Sequence, residues 1–492
     1  MHYVSTRDAS LKFSAAKAIE QGLSRDGGLF LPDHLPELPD LDALRKMDYQ
    51  NRAAAIMKLF LDEFTEEELM EYVSRAYSED RFDCKEVAPV VSLHPKTHVL
   101  ELWHGPTCAF KDMALQMLPY LLTASMKKNG EDKTVCILVA TSGDTGKAAL
   151  EGFRDVEQTK ILVFYPKDGV SDIQKLQMVT QEGENVGVCS VIGNFDDAQT
   201  GVKRIFSDAD LRSTLLERGY ILSSANSINW GRVLPQIVYY ISAYCDLLNQ
   251  GKLQMGQLLN VCVPTGNFGN ILAGYYAKKM GLPIGKLICA SNANNVLTEF
   301  LKTGVYDRNR PFYTTTSPSM DILISSNLER LLFDLTGSDE EVRDYMEQLN
   351  KTGRYQVSES VLEKIKEHFV SGCCDDPRTL NTIGKVYEGT EYLMDTHTAV
   401  AHTVLHDYRA ATADDTPALI VSTASPFKFC DNVLHALGET ELRQGTAILG
   451  QLTEKSGKPA PRPLATLEGK AVRFTESVEK EDMVTVVDRI LC

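Results

Sequence analysis

Two stretches of the chain, far apart in sequence, carry one arrangement of residues. Val135-Cys136-Ile137-Leu138-Val139-Ala140 leads into Thr141-Ser142-Gly143-Asp144-Thr145-Gly146 and then Lys147-Ala148-Ala149-Leu150. Leu259-Asn260-Val261-Cys262-Val263 leads into Pro264-Thr265-Gly266-Asn267-Phe268-Gly269-Asn270 and then Ile271-Leu272-Ala273-Gly274. Aligned, both turns read [Ser/Thr]-Gly-[Asp/Asn]-x-Gly. A short β-branched run that stops at a glycine turn and resumes with helical spacing is a buried strand feeding a helix. The runs at 161–165, 287–290 and 418–421 have the same texture. Strands alternating with helices pair in parallel through right-handed crossovers, so the fold class is α/β with mostly parallel sheets.

Before this texture begins, residues 1–95 read as a helix-rich segment with little strand signal, and prolines 32, 36 and 39 mark an irregular start. A charged stretch at 338–368 reads as helical and peripheral. The 492 residues suffice for roughly two to four domains. Lys plus Arg number 51 against 67 Asp plus Glu, a net charge of −16. That surface repels nucleic acid and small anions alike, so an anionic substrate must meet a locally positive pocket. The 11 cysteines form no C-x-x-C pair, which fits reduced thiols in a cytoplasmic protein. No apolar run approaches the ~20 residues of a membrane helix, and the first residues are no signal peptide, so no membrane partner is expected.

Glycine turns at helix starts let a backbone close on an anion, because the first N–H groups of the helix are free and its dipole is positive there. Each turn taken alone is equally well a tight βα connection with no ligand. A phosphate-binding Walker loop is excluded: Thr141 stands where its first glycine belongs, and Ala148 where its metal-binding hydroxyl belongs. A dinucleotide fingerprint is excluded by Leu272 after Gly266-x-x-Gly269. His397 and His402, five apart, do not share a helix face, and no metal is expected. Lys111, set between Ala109-Phe110 and Met113-Ala114-Leu115, is a candidate for a buried amine of lowered pKa, the form Schiff-base chemistry needs. A solvated surface lysine is the competing reading.

Several motifs in one order resemble the threonine synthase family of fold type II pyridoxal-phosphate (PLP) enzymes. They are Tyr3-Val4-Ser5-Thr6-Arg7 with Asp26-Gly27-Gly28-Leu29-Phe30-Leu31-Pro32, and His104-Gly105-Pro106-Thr107 through Phe110-Lys111-Asp112. The two glycine turns, Asn226-Ser227-Ile228-Asn229-Trp230-Gly231-Arg232, and Val421-Ser422-Thr423-Ala424-Ser425-Pro426-Phe427-Lys428-Phe429 complete them. The resemblance implies a tryptophan-synthase-β-like architecture: an N-terminal segment 1–95 and a PLP-dependent region 96–492 of two open α/β subdomains, roughly 96–245 and 246–492. It implies Lys111 as the lysine that binds PLP covalently and shuttles protons. Gly266, Asn267, Phe268, Gly269 and Asn270 would cradle the cofactor phosphate, and Thr423, with Ser422 as the alternative, would meet the pyridine nitrogen. Ser142, Gly143, Asp144 and Thr145 would hold the substrate carboxylate. Asn226, Ser227, Asn229 and Arg232 would hold the substrate phosphate, against the plainer reading of a capped helix start.

The activity so implied is elimination of phosphate from O-phosphohomoserine and addition of water to give threonine, in a monomer or homodimer. A phospho-lyase of the threonine-synthase-like kind, a serine or threonine dehydratase, and a PLP-binding protein without turnover are the alternatives. Two residues depart from the pattern. Asp144 stands where many fold type II enzymes place Asn against the cofactor's phenolic oxygen. A carboxylate would repel a phenolate there, so Asp144 is expected to shape the loop instead. Ser425 replaces a histidine of some relatives, with no role assigned.

Overall fold

The computed structural model describes residues 1–141, 143–167 and 170–491. Two sheets carry the molecule. The larger has six strands in the order Phe369–Cys373, Ile284–Ser291, Leu259–Pro264, Ala418–Ser422, Thr97–Glu101, Val90–His94. All its pairings are parallel except the last, where Val90–His94 folds back antiparallel as an edge. The smaller sheet is wholly parallel, in the order Ser477–Val478, Val186–Val191, Thr159–Pro166, Thr134–Ala140, Tyr220–Ser223. The five apolar runs all form strands, and their interiors are buried because helices cover both faces of a parallel sheet.

Helix Trp230–Asn249 is buried almost all round. It packs on helix Gly269–Lys279, on the short helix Asp112–Leu115 and on helix Tyr49–Lys58 of the N-terminal segment. Its apolar faces therefore join three regions of the chain into one core.

Two expectations about organisation need correction. The N-terminal segment is helical over much of its length, but it also folds Asp8–Phe13, Tyr3–Ser5 and Phe30–Pro32 into an antiparallel sheet. Strands of three residues are too short to show a period, and Tyr3–Ser5 is buried on both sides. Second, the sheets do not divide near residue 245. Thr97–Glu101 sits inside the larger sheet, while Ser477–Val478 and helix Met483–Leu491 close the smaller one. Val90–His94, placed before the boundary at 95, belongs to the larger sheet. Sequence neighbours are separated because parallel pairing demands crossovers, which let one chain pass between sheets more than once.

Candidate active site

The carboxyl ends of the strands from both sheets converge on a cleft of about 820 Å³. Ala140 and Thr141, Pro264 to Asn270, Thr423, and Phe110-Lys111 all line it, as ligand sites of open α/β sheets do. Among the described residues its charged lining is Lys111, Lys203, Arg232 and Arg308 against the single carboxylate of Asp321. A chain of net charge −16 thus presents a positive cavity, as the sequence required.

Lys111 is placed by a clasp in its own segment. The backbone N–H and hydroxyl of Thr107 donate to the two carboxylate oxygens of Asp112, at 2.8 and 2.7 Å. Gly105 is required beneath it, since a Cβ there would lie 2.6 Å from Asp112 Oδ2. Phe110 N–H donates to Thr423 O at 2.8 Å and Ser425 N–H to Cys108 O at 3.0 Å, tying the segment to the loop after Ala418–Ser422. The Lys111 amine sits 3.4 Å from Ser319 Oγ and 3.9 Å from Asp144 Oδ2. Burial, opposed by Asp144 and assisted by Lys428 and Arg232, brings its pKa down to about 8. Its side chain is 13% exposed, so Lys111 is a largely shielded amine rather than a solvated surface lysine.

At the second glycine turn, Phe268 adopts the left-handed conformation, with φ of +63°, and starts helix Gly269–Lys279 with no side-chain cap. The leading N–H groups of that helix are free for an anion. Gly266 admits no side chain, since a Cβ would lie 2.7 Å from Ser319 O. Asn267 O accepts from the backbone N–H and the Nδ2 of Asn327, both at 3.1 Å. Asn270 Oδ1 accepts from Tyr239 and Tyr240, which leaves its Nδ2 buried with no protein partner.

The first turn is braced by Thr141, whose Oγ1 accepts from Gly143 N at 3.0 Å and Gly146 N at 2.9 Å. Thr145 lines the cleft; Ser142 lies outside the described residues. Asp144 faces Lys428, its Oδ1 lying 2.8 Å from the buried Lys428 Nζ and accepting from Gln174 Nε2 at 3.0 Å. Burial alone would raise the Asp144 pKa, but Lys428 and Lys111 hold it well below the usual carboxylate range.

The four donors expected for a substrate phosphate separate. Asn226, Ser227 and Arg232 line the cleft, and Arg232 keeps a buried Nε with no partner. Asn229 does not reach it. Its Oδ1 accepts from Gly231 N–H at 2.8 Å as the helix cap and its Nδ2 donates to Ile19 O at 2.9 Å, so both ends of the amide are spent on structure. Thr423 lines the cleft, whereas Ser422 Oγ is turned away to accept from Trp103 Nε1 and Thr398 Oγ1, both at 3.0 Å. His397 is buried in the wall of the cleft, its ring between Asp395 Oδ2 and the Ser319 N–H.

Sequence reasoning missed Lys428, Ser319, Lys203, Arg308 and Asn327. Lys428 stood within a quoted motif but had no chemical signal of its own, and the others sit in segments without one. The unspent donors around a buried amine, Arg232 Nε and Asn270 Nδ2 among them, fit a group with a carbonyl for the lysine and a phosphate for the cradle.

Three sequence families match in succession: "Threonine synthase N terminus" over residues 2–77, "Pyridoxal-phosphate dependent enzyme" over 92–362 and "Threonine synthase, C-terminal" over 398–490. The chain is 40% identical to threonine synthase of Saccharomyces cerevisiae over 521 residues, covering 99% of this chain and 98% of that protein. It is 42% identical to threonine synthase-like 1 of Homo sapiens over 465 residues, covering 90% of this chain but 61% of that longer protein. The crystal structure of PLP-bound threonine synthase from Brucella melitensis superposes with a TM-score of 0.88 at 36% identity, covering 100% and 98% of the two chains. Threonine synthase from Escherichia coli gives 0.77 at 31%, covering 99% and 100%. With the whole fold shared and all three segments matched in order, the chain belongs to the threonine synthase family of pyridoxal-phosphate dependent enzymes.

Proposed function

We propose that the protein converts O-phosphohomoserine and water into L-threonine and phosphate. One observation carries this reading: the Lys111 amine shares a cleft with three cationic side chains, one carboxylate among the described residues and a helix start left open for an anion, in a strongly acidic chain. Two phosphates, one on the cofactor and one on the substrate, account for that much positive charge; a dehydratase substrate would bring no second phosphate.

When bound, pyridoxal phosphate supplies the electron sink that allows protons to leave the carbons beside the substrate amine. Lys111 would hold it covalently and, once freed by the incoming substrate amine, would take and return protons at the substrate's α- and β-carbons, a task suited to an amine of pKa about 8. Gly266, Asn267, Phe268, Gly269 and Asn270 hold its phosphate by backbone N–H groups and the free Asn270 amide. Thr423 would donate its hydroxyl to the ring nitrogen, while Ser422 accepts from Trp103 and Thr398. Gly143 and Thr145, with Ser142, bind the substrate carboxylate, and Asp144 acts through Lys111 and Lys428 rather than on the substrate. Arg232, Asn226 and Ser227 bind the phosphate that leaves, with Lys203 and Arg308 drawing it in at the mouth.

A phospho-lyase that stops after elimination is the second reading, consistent with the similarity to threonine synthase-like 1. Incubating the PLP-loaded protein with O-phosphohomoserine separates the two. Threonine formed in step with phosphate supports the synthase; a keto acid and ammonia with phosphate would replace it by the lyase. We place the protein in the cytoplasm as a monomer or homodimer. The ten described cysteines are all free thiols, and no helix among the described residues is long and apolar enough to cross a membrane.

A further inference from the structure

Lys111, Asp144 and Lys428 stand in a row, contributed by segments remote in sequence. Lys428, in the 3-10 turn Pro426–Phe429, is buried, with its Nζ 2.8 Å from Asp144 Oδ1 and donating to Thr107 O at 2.9 Å. Asp144, at the start of helix Asp144–Phe153, turns its other oxygen toward Lys111 at 3.9 Å, with Ser319 Oγ 3.4 Å from that oxygen. One carboxylate thus lies between two amines, and the distances are unequal. Lys428 makes two short contacts with strong acceptors, whereas Lys111 makes two long ones. The carboxylate is therefore engaged by Lys428 rather than by Lys111.

A carboxylate buried beside Lys111 with nothing else to neutralise it would hold the amine as an ammonium. That form can neither attack a carbonyl nor accept a proton. We propose that Lys428 is a positioning residue for the reaction: by occupying Asp144, it leaves Lys111 a compensated ion pair to face, and so keeps the Lys111 amine available in its neutral form. This inference rests on the role given to Lys111 above. It also explains why an aspartate is tolerated in the first glycine turn, where a bare carboxylate would obstruct the chemistry.

The remaining groups that face Lys111 leave the assignment intact. Asp112 is spent on the Thr107 clasp, and Arg232, on helix Trp230–Asn249, adds a second positive influence of the same sign as Lys428. Ser319 is uncharged, and its N–H donates to His397 Nε2 at 3.1 Å. The Phe110 ring is 5.6 Å from the amine.

The test titrates Lys111 itself in the full chain freed of cofactor. Reductive methylation by formaldehyde and cyanoborohydride, followed by mass spectrometry of the Lys111 peptide across pH, reports the amine's apparent pKa without any turnover. Lys428→Met should raise that pKa by about one unit or more, and Asp144→Asn should lower it, because an adjacent charge shifts a buried group by ~1–3 units. The double variant should return toward the native value, and Lys428→Arg should keep it. Where Lys428→Met fails to fold, Asp144→Asn against the double variant carries the comparison, with the double higher by about one unit. A merely structural pair would move neither pKa, or would move both in one direction through loosening. Either result overturns the proposal. Borohydride reduction of the PLP-loaded chain is run alongside: absence of an adduct on Lys111 refutes the cofactor role, whatever the titration gives.

Discussion

Arg232→Ala is the sharpest test of where the substrate phosphate goes. Arg232 is buried at the cleft, has no carboxylate partner among the described residues, and donates through Nη1 to Ala225 O while its Nε bonds to nothing. Burial draws its pKa down to about 10, so the site already bears the cost of keeping a cation away from water. A dianionic phosphate would recover that cost. A hydrogen bond to a charged group contributes about 1.5–3 kcal/mol, which at about 1.4 kcal/mol per tenfold is roughly 10- to 150-fold in kcat/KM. Lys203 is exposed and Arg308 half-exposed at the mouth, where a charge contributes about 0–1 kcal/mol, so their alanine variants should lose only a few-fold and mainly at low salt. The assay is phosphate release from O-phosphohomoserine, with slow turnover of unphosphorylated serine or threonine as control and cofactor absorbance as a check on loading. The alanine variant should keep its cofactor and the control reaction. Equal losses on both kinds of substrate would refute the argument and make Arg232 a structural or cofactor residue.

Asn327→Ala should weaken PLP affinity several-fold and lower stability by about 2–4 kcal/mol, because it removes a bond to Asn267 O and leaves the Arg330 guanidinium short of an acceptor; titration with PLP showing native affinity would dismiss its support of the cradle. Thr423→Val should shift the absorbance of bound cofactor and depress kcat, whereas Ser422→Ala should cost about 1–3 kcal/mol of stability and leave the spectrum alone, since Ser422 Oγ serves Trp103 and Thr398. The opposite pattern would exchange their roles. His104 is opposed by burial but raised to about 9 by hydrogen bonds to Asp83 and Glu101. Its contribution to stability is therefore complete below pH ~6.5 and disappears as pH climbs through about 9. Denaturant unfolding between those pH values should show a smaller decline for His104→Gln than for the native chain, and parallel declines would remove the histidine from the account.

What could be read from the sequence was whatever depends on backbone. Gly266 and Gly143 announce themselves because no other residue fits, one by a 2.7 Å approach to Ser319 O and the other by a φ of +140°. The strands announce themselves because a doubly covered parallel sheet tolerates little but apolar residues. Lys111 was visible through its apolar neighbours, and its place in the site through resemblance. Side-chain meetings across the fold left no such trace. Asn229 sits in a run of polar donors indistinguishable by composition from Asn226 and Ser227, and only the helix start reveals that its amide is the cap. Lys428 is one lysine among many until the loop carrying it is laid, by backbone bonds at Phe110 and Ser425, against the segment of Lys111.

Arg330 makes the same point at the other edge of the cleft. It is fully buried and donates to Phe30 O at 2.8 Å, to Asn327 Oδ1 and to Ile228 O at 2.5 Å. One guanidinium therefore joins the N-terminal sheet, the support of the cofactor cradle and the loop that bears Asn226 and Ser227. Thr6 and Arg7 add a second tie, through Glu329 on the same helix. The N-terminal segment contributes no lining to the cleft among the described residues, yet it meets both proposed phosphate sites through a single side chain. A motif such as Tyr3-Val4-Ser5-Thr6-Arg7 can thus serve the cleft without lining it: what it would fix is the distance between the two proposed phosphate sites.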